Sequence, residues 1–317
     1  MAVRKQSLCF LSILGFAALY VGFGFLFALD KRDTSNVLHE IFREKALAAN
    51  RAVGKKRILL TGGSNVVWGF RSQLIEDATG IPTFNLALIH EAYDPKAMRA
   101  LTQSVVRKGD VVVYSSISFL NSRGTDPNAA QELLQVAGLD HETRGPFQRL
   151  KRTLCHHWSP YPQRSAIIAS LPTLYRRYIQ QERSIHAQGL NAKGDVASCH
   201  KQAAAGAAGY VDPPDRASLF NELQEFQNAL RAEGASLVLQ LPPTLIVPDQ
   251  KQLWLDAYIP FLAAMREQFA VATQDMEHVV STEEPRFCDS GFHLGNEEAE
   301  NRSRALAAFL NSRQLNF

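Results

Sequence analysis

No stretch of this 317-residue sequence reads Gly-x-x-x-x-Gly-Lys-Ser/Thr or Gly-x-Gly-x-x-Gly, which argues against a P-loop and against dinucleotide binding. No α/β-hydrolase elbow is present at Ser64 either, because Val66 stands where Gly-x-Ser-x-Gly would need its second glycine. Cysteine is scarce. The four are Cys9, Cys155, Cys199 and Cys288, far apart and without zinc-type pairing. Cys155 and Cys199 share one central segment, where a bridge and two unpaired thiols are both open readings. His156-His157 beside Cys155 lacks a third ligand at helical spacing, so packing or surface roles are expected and no metal. Charge of one sign is also lacking: 34 Lys and Arg against 31 Asp and Glu leave +3. Basic residues are scattered rather than banked, which gives no reason to expect nucleic acid as a partner. No internal repeat is visible, and nothing asks for a cofactor.

One absence is local. From Leu8 to Leu29 there is no charged residue, a run of roughly 22 residues, about what a helix needs to cross a ~30 Å hydrocarbon core. A signal peptide would have an apolar region of about 7–15 residues and a small-x-small cleavage site. Phe27-Ala28-Leu29-Asp30 is a poor one, so the run reads as an uncleaved single-pass anchor. Arg4 and Lys5 precede it and Lys31 and Arg32 follow it, so the positive-inside count does not orient it. The organisation expected is an anchor over 1–33, a juxtamembrane helix or solvated stalk over 34–56, and one domain over 57–317.

Within that domain strand and helix alternate. Ile58–Thr61, Pro82–Leu88 and Val111–Tyr114 are short apolar runs bounded by turn residues, as in buried parallel strands. Ser236–Leu241 and Phe269–Ala272 repeat the pattern. The spacing of apolar residues predicts helices over Val67–Ala78, Asp94–Val106, Ala217–Ala232, Gln250–Gln268 (with a kink at Pro260) and Glu297–Leu310. Regularity breaks between about 121 and 215, which reads as a partly helical insertion. The fold class expected is α/β, a doubly wound, flavodoxin-like parallel sheet in which ligands bind beyond the carboxyl ends of the strands.

Three residues then stand out. Ser64 follows the first strand in Thr61-Gly62-Gly63-Ser64-Asn65, where two glycines allow a sharp turn and the helix behind offers free N–H groups for an oxyanion. Helix capping is the bland role for the same serine. A serine hydroxyl needs a base to take its proton. Cys288-Asp289-Ser290-Gly291-Phe292-His293-Leu294 follows the last strand, at the same edge of the sheet. There His293 can serve as base, with Asp289 holding its tautomer.

On Gly62-Gly63-Ser64-Asn65 and on Asp289…His293-Leu294 followed by a helix with Asn301-Arg302, the chain resembles the SGNH (GDSL-like) hydrolase superfamily over about 57–110 and 237–309. The resemblance implies a membrane-anchored esterase or O-acetyltransferase acting on a cell-surface polysaccharide or lipid-linked glycan. It further implies a catalytic body outside the cytoplasmic membrane, with a membrane-bound acyl-transfer partner. It points to Ala87 at the place of an oxyanion glycine and to Ser115 or Ser116 where an Asn is usual; Asn65 reads equally as a further oxyanion donor or as a residue of the turn alone. The alternative is a non-catalytic, SGNH-like glycan-binding or scaffold component of a polysaccharide synthesis complex, which the Ala for Gly and the missing Asn favour.

Overall fold

The computed structural model describes residues 41–52, 54, 56–88, 95–120, 191–196, 206–273, 275–288 and 290–313. The Leu8–Leu29 run, most of the expected insertion, Asp289 and three of the four cysteines lie outside them. Residues 41–50 are helical (α1). There follow β1 (Ile58–Gly62), α2 (Ser64–Val67), α3 (Ser72–Thr79), β2 (Thr83–Asn85), α4 (Pro95–Gln103) and β3 (Val111–Ser115). The second half holds α5 (Arg216–Ala232), β4 (Ser236–Leu239), β5 (Thr244–Leu245), α6 (Lys251–Gln268), β6 (Ala270–Val271), β7 (Val280–Ser281) and α7 (Asn296–Ser312).

Five strands form one sheet in the order β2-β1-β3-β4-β6, and every neighbouring pair is parallel. These are the five runs read from the sequence. Their side chains alternate between faces, as the period of two requires. Leu59, Val112, Tyr114, Leu237 and Leu239 pack with α4, α5 and α6 in one apolar cluster. Ile58, Leu60, Val111, Val113 and Val238 pack with the residues of α2, α3 and α7 in a second. Helices thus cover both faces, which is why these strands read as continuous apolar runs. Strands β5 and β7 form a small parallel pair of their own.

The expected anchor is withdrawn as unsupported, the Leu8–Leu29 run lying outside the described residues. Among the described residues no helix is long and apolar enough to cross a membrane. The longest, α6, carries Lys251, Asp256, Arg266, Glu267 and a central Pro260, so only part of its surface can face apolar surroundings. The readings of a single-pass membrane protein, of an inner-membrane location and of membrane-bound partners are withdrawn with it.

Two further expectations change. The single helix over Val67–Ala78 is two, α2 and α3, broken at Trp68-Gly69-Phe70-Arg71. At Gly69 a Cβ would lie 2.1 Å from the Asn65 carbonyl oxygen and 2.5 Å from Nη1 of Arg302, so the break makes room for a side chain arriving from α7. Nor is α1 a solvated stalk. Its Ile41, Phe42 and Ala49 are buried in the first cluster, and Lys45 Nζ donates to the Ala87 carbonyl at 2.7 Å.

Burial lowers the Lys45 ammonium from 10.5 to about 8, desolvation outweighing the attraction of Asp195. Between those values the unfolded chain binds more protons than the folded one, so stability increases with pH there. Urea unfolding from pH 8 to 10 should show that rise, and Lys45→Met should flatten it. Tyr258, whose pKa burial pushes up, acts in the opposite sense only once an unfolded tyrosine ionises, near pH 10.

Candidate active site

The β1–α2 turn sets the site. Gly62 adopts φ +141°, and a Cβ there would stand 1.9 Å from the Ser115 carbonyl oxygen of the neighbouring strand. Only glycine permits this approach. Gly62→Ala should cost at least about 2 kcal/mol, read as a lower urea midpoint, and should displace Ser64 with the turn. A midpoint equal to the parent's would show that the turn tolerates a side chain.

Ser64 is the first residue of α2, partly exposed, with Gly63 at the cap position. The Gly63 carbonyl accepts from the N–H groups of Val66 and Val67. That leaves the amides of Ser64 and Asn65, as first groups of a helix, without an intrahelical acceptor. Among the described residues Ser64 Oγ makes no hydrogen bond, so the expected bond to His293 is not formed here.

His293 is nonetheless close to α2. Its ring stacks on Trp68 with centroids 4.3 Å apart and planes tilted by 34°, and the Trp68 amide donates to the Ser64 carbonyl at 3.1 Å. His293, 8% exposed, therefore packs on the residue that lies one helical turn after the serine. Its loop is well tied. Phe287 and Leu294 form an antiparallel bridge, Cys288 N donates to the His293 carbonyl at 2.9 Å, and Gly295 N donates to that of Arg286 at 2.8 Å. Leu245 N, on β5, donates to the Gly291 carbonyl at 2.7 Å, joining the loop to the small sheet. Cys288 is buried and disulfide-bonded. Asp289, inside this loop, and the pairing considered for Cys155 with Cys199 lie outside the described residues.

The weaker candidates are occupied otherwise. The Ala87 amide donates to Oδ1 of Asn85 at 3.1 Å, because an Asn side chain two residues back reaches its own strand end. Asn65 is fully buried and its Nδ2 donates to Ser115 Oγ at 2.9 Å. Ser116 Oγ accepts from Ser118 N at 3.1 Å, capping a short 3₁₀ turn over Ile117–Phe119. In this state the Ala87 amide is already engaged, and Ser116 Oγ is held within its own turn. Two residues of the site were given no role from sequence. Trp68 looked like helix interior, and Arg302 was noted only with Asn301 on the helix that follows the His293 motif. Arg302 donates to the Asn65 carbonyl at 3.0 Å, to Ser115 Oγ at 3.0 Å and to the Leu241 carbonyl at 3.3 Å. Among the described residues no group of three His, Cys, Asp or Glu could hold a metal ion.

No family model and no curated protein matches this chain. Among solved structures, the protein YXIM of Bacillus subtilis is similar at 11% identity and a TM-score of 0.39, over 83% of this chain and 58% of that one. A Salmonella typhimurium LT2 protein described as sugar-binding is similar at 14% identity and a TM-score of 0.15, over 89% of this chain and 98% of the other. The chain thus spans little more than half the length of the Bacillus protein, and neither likeness bears on the site. The expected membership of the SGNH superfamily, as a membrane-anchored hydrolase, is withdrawn: no family model carries it and no membrane-crossing helix is found among the described residues. What stands is a parallel, doubly wound α/β sheet with a serine and a histidine brought to one edge.

Proposed function

We propose that this chain hydrolyses or transfers an O-acyl group, acetyl in the first place, by way of an acyl-enzyme on Ser64. The observation that carries the reading is the Trp68–His293 stack at 4.3 Å, which packs a buried imidazole on the residue one helical turn after Ser64, itself partly exposed at the carboxyl end of β1. Ser64 Oγ attacks the ester carbon and its proton passes to His293. The carbonyl π electrons become the oxyanion, held by the amides of Ser64 and Asn65. Collapse breaks the ester C–O bond, and the leaving alkoxide takes the proton back from His293. Water or a second hydroxyl then repeats the sequence and frees the serine. Asp289 serves as the group that orients His293. A sugar hydroxyl of a glycan is the alcohol proposed.

A second reading, a binding component without catalysis, is favoured by the engaged Ala87 amide, which removes one oxyanion donor. Fluorophosphonate labelling separates the two. Covalent capture at Ser64, lost in Ser64→Ala, supports the enzyme. Absence of capture in a folded wild-type chain supports the binding component.

A further inference from the structure

Four arginines of the described residues each meet a carboxylate: Arg57 with Asp110, Arg99 with Glu222, Arg286 with Glu298 and Arg304 with Glu300. Arg302 meets none among the described residues. Its guanidinium is enclosed by neutral groups only: the carbonyls of Asn65 and Leu241, Ser115 Oγ, and the face of Phe70, 4.1 Å from Cζ. Arg302 as a whole is partly exposed, yet desolvation among these groups draws its pKa down to about 9. The break at Gly69 exists to admit it, since a Cβ there would lie 2.5 Å from Nη1. Beside it the fully buried Asn65 keeps an Oδ1 with no donor. An enclosed cation with no anion is costly unless an opposite charge completes it. Here the carbonyl it grips belongs to the residue after the candidate nucleophile.

We infer that Arg302 is a positioning residue of the Ser64 site. It fixes Asn65, the residue after Ser64, through its carbonyl, and it sets a permanent positive charge behind the amides where the acyl oxyanion gathers. The anion that completes Arg302 is the one formed during the reaction. This rests on the acyl-transfer reading of Ser64. A purely structural clamp, tying α7 to the ends of β1, β3 and β4, would use the same hydrogen bonds but would not depend on charge.

The full chain and the variants Arg302→Lys and Arg302→Gln separate the two roles. Lysine keeps the charge and loses the planar fork; glutamine keeps a donor for the Asn65 carbonyl and loses the charge. The readouts are kcat and KM for p-nitrophenyl acetate, the rate of Ser64 labelling by a fluorophosphonate, and the melting temperature. The glutamine variant should lower kcat and the labelling rate at least about tenfold with KM nearly unchanged, and lysine should restore most of both. Equal loss in the two variants would reduce Arg302 to a clamp, and wild-type rates in the glutamine variant would remove it from the site. Should the glutamine variant not fold, Arg302→Met serves as the uncharged one. A wild-type chain that is folded yet not labelled at Ser64 overturns the acyl-transfer reading itself, before any Arg302 variant is compared.

Discussion

Ser64→Ala and His293→Ala should each lower kcat/KM toward an activated acyl ester by at least about 10³-fold, and the double variant should lose no more than either one. The expectation follows from their acting as a unit. Without the base the hydroxyl keeps its proton; without the hydroxyl the base has nothing to activate. Ser64 is partly exposed, and the loop of His293, whose ring is buried on Trp68, is also held by backbone bonds. Melting temperatures should therefore move far less than rates. Catalytic hydrogen bonds are often long before substrate arrives, so the unformed Ser64–His293 bond is compatible with this outcome. Substantial activity in Ser64→Ala would exclude the acyl-enzyme, and additive losses would show that the two side chains serve separate steps.

Breaking the buried ion pair at the opposite end of β1 should have the largest effect on stability. Arg57 and Asp110 are 0% and 1% exposed. Arg57 also donates to the carbonyls of Ala49 and Val105 and to Asn50 Oδ1, so its donors are nearly all engaged. Arg57→Met leaves the Asp110 carboxylate enclosed with only the Arg107 amide still donating to it, and Asp110→Asn removes the charge that balances the guanidinium. Either should cost about 3–5 kcal/mol, seen as a lower urea midpoint with little change in slope. The double variant Arg57→Met with Asp110→Leu should recover part of the loss, because the penalty is the orphaned charge rather than the absent attraction. Single variants as stable as the parent would mean that water reaches the pair.

The strands were legible because each is buried on both faces, so that a run such as Val111-Val112-Val113-Tyr114 has one physical reading. Their order and parallel pairing followed from alternation with helices. The break after Val67 was not legible, since Phe70, Leu74 and Ile75 keep a helical spacing straight through it. Its cause is Arg302, far away in sequence, and no local pattern announces such a visitor. The serine turn was readable from its two glycines. The donors around it were not, because Asn85 takes the Ala87 amide through a contact that depends on the fold of β2. The role of α1 was lost for another reason. Ile41, Phe42 and Ala49 give it a narrow apolar stripe among charged residues, and such a stripe suits a stalk as well as a packed helix.

That stripe has a practical consequence for dividing the chain. A fragment cut at the start of β1, where regular strand-helix alternation begins, would lack the Ala49 carbonyl and the Asn50 side chain that accept from Nη1 of Arg57. It would also expose the part of the first cluster that Ile41 and Phe42 cover. Such a fragment should express as aggregate, and limited proteolysis of the intact chain should spare 41–50 as long as the sheet is folded. The folding unit includes 41–50, within what looked like the tether.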